Sequence, residues 1–318
     1  MSCATGSDSF EASDEPGTVR VPSTVRCDEQ LTMGLRAVCA KLGLDPVGAR
    51  LLRNANNAVF QLARDPVVVR LVTLPSYVPR ARLAVAAATV FAEHDVPAIR
   101  LLSGAAQPVR AGDHVATVWQ AVPPTGPPPG GADLAGLLRA VHAVPLPSRA
   151  LPGWDPLADF DNRVRHTTTM AVADRDFLLC RSAELAAAVA ELSFALPMAV
   201  LHGDAHLGNV IPGPQRPVLC DFDSCAVGPP EWDLTPVAVG NVRFDRPAAH
   251  QRDFIEIYGF DVRDWDGFEV LHDIRDLKLI AGVFPRAGSP PAVEAEFDRR
   301  MASLRAGRRF ERWRTVRR

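Results

Sequence analysis

Apolar residues recur along this chain with two different periods, and the change of period divides it. Residues 59–62, 67–72, 96–102 and 115–122 are short apolar or β-branched runs bounded by turn formers, which predicts strands. The run 67–72 holds one charge, Arg70, among valines and a leucine, so its alternation does not say which face is buried. Residues 53–58 (Arg-Asn-Ala-Asn-Asn-Ala) form a turn-rich bend before 59–62, and Asp65-Pro66 turns the chain into 67–72. Together these predict a hairpin with an Asn-rich bend. Helices are predicted over 31–42, which stops at Gly43, and over the Ala/Val-rich stretch 79–93. Beyond residue 131 the pattern turns mainly helical, over 132–144, 174–195, 248–258, 268–283 and 291–314, with one short buried strand at 197–201.

The break between the two regimes is residues 123–131, Pro-Pro-Thr-Gly-Pro-Pro-Pro-Gly-Gly, whose composition forbids regular helix or sheet. The predicted organisation is a disordered tail over 1–28, a small β-rich N-lobe over 29–122, a Pro/Gly hinge over 123–131 and a larger, mainly helical C-lobe over 132–318. The fold class is therefore α+β in two lobes.

Composition narrows the function classes. The chain has 318 residues, 47% hydrophobic and 23% charged, with a formal net charge of −2. That length supports a sizeable core, and the balanced charge makes no general case for nucleic-acid binding. No apolar run approaches the roughly 20 residues that span a bilayer. The six cysteines are scattered with no Cys-x-x-Cys pair, which suits reduced thiols of a cytoplasmic protein.

Chemistry concentrates in residues 201–209, Leu-His-Gly-Asp-Ala-His-Leu-Gly-Asn, and 219–223, Leu-Cys-Asp-Phe-Asp. Asp204, Asn209 and Asp221 offer a carboxylate, an amide and a second carboxylate. That set suits metal-dependent phosphoryl transfer, in which one acid orients the acceptor hydroxyl and the other two groups hold metal. Their hard oxygen donors favour Mg²⁺ over zinc. A plain turn satisfying its own backbone donors is the simpler alternative. A zinc pair from His202 and His206 would need a helix, which Gly203 and Gly208 disfavour. A metallophosphoesterase would need further histidine-rich motifs, and the eight histidines show no such grouping.

In order and spacing, these segments resemble the aminoglycoside phosphotransferase family, small-molecule kinases with a protein-kinase-like fold. The resemblance spans roughly residues 47–285. It rests on the Asn-rich bend with 59–62, the strand 67–72, His94-Asp95-Val96-Pro97-Ala98, the segment 202–209, Cys220-Asp221-Phe222-Asp223 and Pro230-Glu231-Trp232-Asp233-Leu234. It implies ATP and Mg²⁺ as cofactors, with Asp204 as the catalytic acid that receives the acceptor's proton and Asn209 and Asp221 as metal ligands. Arg70 then grips nucleotide phosphates, Asn56 and Asn57 lie over them, and Trp119, Gln120 and Ala121 belong to the strand that meets adenine. The same resemblance makes His202 a structural loop residue and Asp233 a brace of the catalytic loop, for which a local cap is an equal alternative. His206 is expected as a packed loop histidine and Asp223 as a solvated acid.

One departure stands out. Kinases of this fold pair the strand cation with a Glu on the following helix, yet residues 78–92 hold no acid and Arg82 stands near that place. Either another carboxylate orients Arg70, or the chain is a catalytically impaired nucleotide-binding or scaffold protein of the same fold. The partner expected is a small hydroxyl compound, with neither nucleic acid nor membrane. Eight acids against two arginines over 253–276 raise the possibility of a cationic acceptor, against the simpler reading of a solvated helix face. The seven arginines of 304–318 read as a frayed terminal helix with solvated charges.

Overall fold

The computed structural model describes residues 29–54, 57–146, 151–286 and 288–316; the predicted tail lies outside these. Helix α1 (Glu29–Leu42) turns Leu35, Val38 and Cys39 to one side and ends at Gly43, whose positive φ of 68° lets Leu44 N–H bond back to the Cys39 carbonyl. Strands β1 (Arg50–Asn54), β2 (Asn57–Gln61), β3 (Val67–Val72), β4 (Val109–Ala111) and β5 (His114–Gln120) form one antiparallel sheet in the order β1-β2-β3-β5-β4. Of the predicted Asn-rich bend, Arg53 and Asn54 end β1 and Asn57 and Ala58 open β2, and the residues between them lie outside the described ones. In β3, Val67, Val69 and Leu71 pack with Leu35, Val38 and Cys39 of α1. Arg70 therefore lies on the opposite face, the one turned away from α1.

Helix α2 (Val78–Glu93) packs on β5 through a stripe of small residues, Ala84, Ala87 and Ala88, closed by Phe91. Residues 96–102, expected as a strand, instead make isolated bridges to two different partners. Ala98 pairs with Leu219 and Leu101 with Trp119, so this segment ties the N-lobe sheet to the C-lobe. Serving two sheets in six residues prevents it from forming a continuous ladder with either.

The C-lobe begins with α3 (Gly131–His142) and continues through α4 (Phe160–His166) and α5 (Val172–Ala190). Strands β6 (Ala199–Leu201) and β9 (Ala226–Gly228) pair antiparallel, as do β7 (Val210–Ile211) and β8 (Val218–Leu219). Helices α6 (Glu231–Phe244), α7 (Ala248–Tyr258), α8 (Phe268–Ala281) and α9 (Pro291–Arg305) complete it. Sequence patterning missed α6 because it is buried on nearly all sides. Glu231, Asp233 and Thr235 are inside with Trp232 and Leu234, and Pro236 interrupts it, so no amphipathic stripe is visible. Helix α8 is the centre of a core of Leu271, Ile274, Leu277 and Ile280, each fully buried. Such side chains stabilise by about 1.5–3 kcal/mol apiece.

The C-terminal segment corrects the expectation of a frayed end. Helix α9 stops at Arg305, and the chain folds back so that Trp313 is buried, with Arg243 4.1 Å and Arg300 5.1 Å from its ring centre. Some of the acids of 253–276 are tied up within the fold, while Asp253, Glu256, Asp264 and Asp266 stay exposed. Asp276 pairs with Arg243, Asp261 with Arg263, and Asp273 with both Arg181 and Arg309.

Candidate active site

Two ladders set the site. The β6–β9 pair and the β7–β8 hairpin bring the loops 202–209 and 220–225 side by side, and Cys220 N–H donates to the Asn209 carbonyl at 2.9 Å. The loop 202–209 is braced from α6. Both oxygens of the fully buried Asp233 accept backbone N–H bonds, from His202 and Gly203, at 2.7 Å each. His142 lies 3.2 Å from the same carboxylate, and Trp232 Nε1 donates to the Gly203 carbonyl at 3.0 Å. Asp233 is thus a brace and not a local cap. Gly203 has φ of 82°, and a Cβ there would meet the Ser224 carbonyl oxygen at 1.9 Å, so only glycine lets the two loops touch. His202 is buried, with Nε2 3.0 Å from the Cys220 carbonyl, as expected of a structural residue.

Asp204 faces the space in front of this loop. Its Oδ1 accepts from Arg275 of α8 at 2.7 Å, and His206 Nε2 lies 3.7 Å from Oδ2. Burial favours the neutral acid, but Arg275 and His206 outweigh it and hold this carboxyl well below the usual range. His206, expected to be packed, is instead part-exposed beside Asp204; Gly208 leaves it that room, since a Cβ there would strike its ring at 2.9 Å.

Asn209 donates from Nδ2 to the Asp204 carbonyl at 2.9 Å, which fixes its amide and leaves Oδ1 for other partners. Asp221 adopts a left-handed backbone with φ of 68°, a conformation that costs a non-glycine residue about 1–2 kcal/mol. Arg70 lies 3.2 Å and Arg53 3.9 Å from its carboxylate. Burial pushes the neighbouring Cys220 thiol up to about 12, so it packs as an inert group.

Arg70 has its carboxylate after all. The guanidinium reaches across to Asp223 in a two-pronged pair, Nη1 donating to Oδ1 at 2.9 Å and Nη2 to Oδ2. Asp223 is largely buried, not solvated as expected, and burial raises its pKa against the pull of Arg70. No alternation in residues 67–72 and no acid in the following helix could reveal this partner. It comes from 153 residues further along the chain.

The remaining nucleotide-contact expectations divide. Asn56 lies outside the described residues, and Asn57 opens β2 opposite Val72. The Trp119 side chain is buried, bonded to Thr117 Oγ1 at 2.8 Å and packed edge-on against Phe222, so it cannot face a ligand. The backbone N–H groups of Gln120 and Ala121 already bond the carbonyls of Arg100 and Pro66 at 2.9 and 2.8 Å. Those donors are therefore spent within the protein.

Beside Asp204 opens a cavity of about 990 Å³. Helices α2, α4 and α8 and the segment around Trp154 line it, and Asp204 and Asp223 stand in its wall.

A β-rich lobe over a helical lobe, with an acid-bearing loop and a second acid segment at their junction, defines a kinase-like fold. The model of the family described as "Phosphotransferase enzyme family" matches residues 48–271, and the chain belongs to that family. Among solved structures it is similar to a choline/ethanolamine kinase family protein from Mesorhizobium loti. Identity there is 18%, over 86% of this chain and 93% of that one, with a TM-score of 0.61. It is also similar to the amicoumacin kinase hAmiN, solved with AMP-PNP, Ca²⁺ and Ami, at 13% identity over 89% and 95% with a TM-score of 0.63. An aminoglycoside phosphotransferase from Streptomyces rimosus aligns at 20% identity over 77% and 97%, with a TM-score of 0.54. No curated protein matches by sequence.

Proposed function

We propose that this chain is a cytoplasmic small-molecule kinase that moves the γ-phosphoryl group of ATP to a hydroxyl of its acceptor. The carrying observation is the convergence of Asp204, Asn209, Asp221 and Arg70 where the loops 202–209 and 220–225 meet strand β3. Asn209 Oδ1 and the Asp221 carboxylate are hard oxygen donors on adjacent loops, and they fit Mg²⁺. Metal held there would neutralise phosphate charge as it develops. Arg70, oriented by Asp223, would grip phosphate oxygens through its planar fork. No helix among the described residues is long and apolar enough to cross a membrane.

Asp204 serves the acceptor. A carboxylate held well below its usual range by Arg275 and His206 is ionised but weakly basic. It orients the hydroxyl and receives the proton late, as a new phosphorus–oxygen bond forms and the bond to the nucleotide's bridging oxygen breaks. Such weak basicity suffices for a loose phosphoryl-transfer transition state. The scaffold alternative rested on the missing helix acid, and the Arg70–Asp223 pair supplies a substitute.

The test is Asp204→Asn. It should lower kcat for acceptor-dependent ADP release by about 10²–10⁴-fold, the usual contribution of a positioned base, with the melting temperature retained. Unchanged turnover in a folded Asp204→Asn protein would overturn the assignment.

A further inference from the structure

Charge in the cavity beside Asp204 is unevenly distributed. Six cationic side chains line it against four acids. Of the acids, Asp159 is paired with Arg80, Asp204 with Arg275 and Asp223 with Arg70, and Asp155 accepts the Leu157 N–H. Arg300 is held by Glu296. Two cations of this wall, the half-buried Lys278 and the more exposed Arg163, have no carboxylate within ion-pair distance among the described residues.

Lys278 is the sharper case. It stands one helical turn beyond Arg275 on α8, on the same face, with its ammonium 5.1 Å from the centre of the Trp232 ring. The indole N–H of that ring holds Gly203, next to Asp204. An aromatic face attracts a cation but accepts none of its three N–H bonds well. Burial, together with the charges of Arg275, Arg80 and Arg163, pushes the Lys278 pKa down to about 8 against the pull of Asp204. Arg163 spends one N–H on the Ala281 carbonyl at 2.6 Å, at the end of the same helix, and lies over Phe284. Lys278 thus lies among like charges, two of them (Arg275 and Arg80) already paired, beside a cavity large enough for a ligand. A half-buried ammonium without a carboxylate partner, as at Lys278, is costly, and an anion seated beside it lowers the cost.

We propose that the acceptor carries an oxyanion, a carboxylate or a phosphate ester, besides its hydroxyl, and that Lys278 and Arg163 bind this oxyanion while the hydroxyl rests at Asp204. The proposal rests on the kinase reading above and names its substrate class. It sets this site apart from one built for a polycationic acceptor, which would meet two cations that no carboxylate balances.

The experiment screens ADP release from Mg²⁺-ATP with matched compounds: sugar acids and hexose monophosphates against their parent sugars, hydroxy acids against diols, and aminoglycosides and amino alcohols as cationic members. The same compounds are titrated into the protein with ADP and Mg²⁺ to read binding without turnover. Turnover and tighter binding confined to oxyanion-bearing members support the proposal, and the preferred member distinguishes carboxylate from phosphate. Lys278→Met should raise the acceptor's KM about tenfold or more, with Lys278→Arg restoring it to within about threefold. Equal or better turnover or binding of neutral or cationic members overturns the charge assignment alone. It is likewise overturned if no oxyanion-bearing member binds better than its neutral match. Absence of any Mg²⁺-ATP binding overturns the kinase reading itself.

Discussion

Asp223 and Arg70 show how a single side chain can stand in for a missing one. A helix Glu approaches a strand cation from the N-lobe, but here the carboxylate arrives from the C-lobe loop that also carries Asp221. The pair is two-pronged and mostly buried, the arrangement in which an Arg–carboxylate contact is strongest. Asp223→Asn keeps the shape but removes the charge that orients the guanidinium. It should raise the KM for ATP about tenfold, since hydrogen bonds to charged groups contribute about 1.5–3 kcal/mol and about 1.4 kcal/mol is a factor of ten. Initial-rate kinetics at saturating acceptor check this, and an unchanged KM would show that Arg70 needs no partner. Arg70 itself was marked by the sequence, because one charge in an apolar run has to be explained. Its partner was not, because nothing local distinguishes Asp223 from a solvated acid.

Among the elements, the loops between β6 and β9 depend on neighbours that sit far along the chain. Asp233 belongs to α6, yet its carboxylate fixes the backbone at His202 and Gly203. Arg275 belongs to α8, yet it sets the protonation of Asp204. Helix packing therefore tunes this loop. A sensitive junction is α3 on α7, where Gly131 opens the helix and is buried. A Cβ at Gly131 would meet the His250 carbonyl oxygen at 1.7 Å, a contact that only backbone movement can relieve. Gly131→Ala should destabilise the protein by about 2–4 kcal/mol, in the range of overpacking with backbone shifts. Urea unfolding measures it, and a loss below about 0.5 kcal/mol, the level of an ordinary surface change, would show that the helices separate easily. Residue 131 was read as the last of the linker, and the structure makes it the first turn of a helix. Two glycines after three prolines hide that start from any propensity argument.

Across the whole molecule, arginine–carboxylate pairs join the segments that close the C-lobe. Asp273 of α8 is gripped by Arg181 of α5 and by Arg309 beyond α9. Burial works to raise its pKa, but these arginines and His272 prevail and hold it far below the ordinary carboxylate value. A carboxyl with a depressed folded-state pKa stabilises the fold above its unfolded pKa of about 3.9. That contribution disappears as pH falls through the folded value. Asp273→Asn should therefore cost about 2 kcal/mol near neutrality, within the range for losing a paired buried charge, and the gap to the parent should close progressively below about pH 4. Thermal unfolding from pH 7 to pH 3 tests this. A gap that stays constant down to the lowest pH would place the stabilisation elsewhere.

What the sequence alone determined was local. Periodicity gave α7 to the residue and α1, α2, α3 and α8 to within two residues, because their apolar faces repeat at helical spacing, but it missed α4 and α6 and ran α5 and α9 too far. The spacing of Asp204, Asn209 and Asp221 marked two short loops joined by one hairpin as the candidate site. Tertiary structure alone decided the face of Arg70, the partner of Asp223, the exposure of His206 and the charge lining the cavity beside Asp204. Each of these depends on atoms brought together from distant segments, and a contact between distant segments leaves no period for a sequence to display.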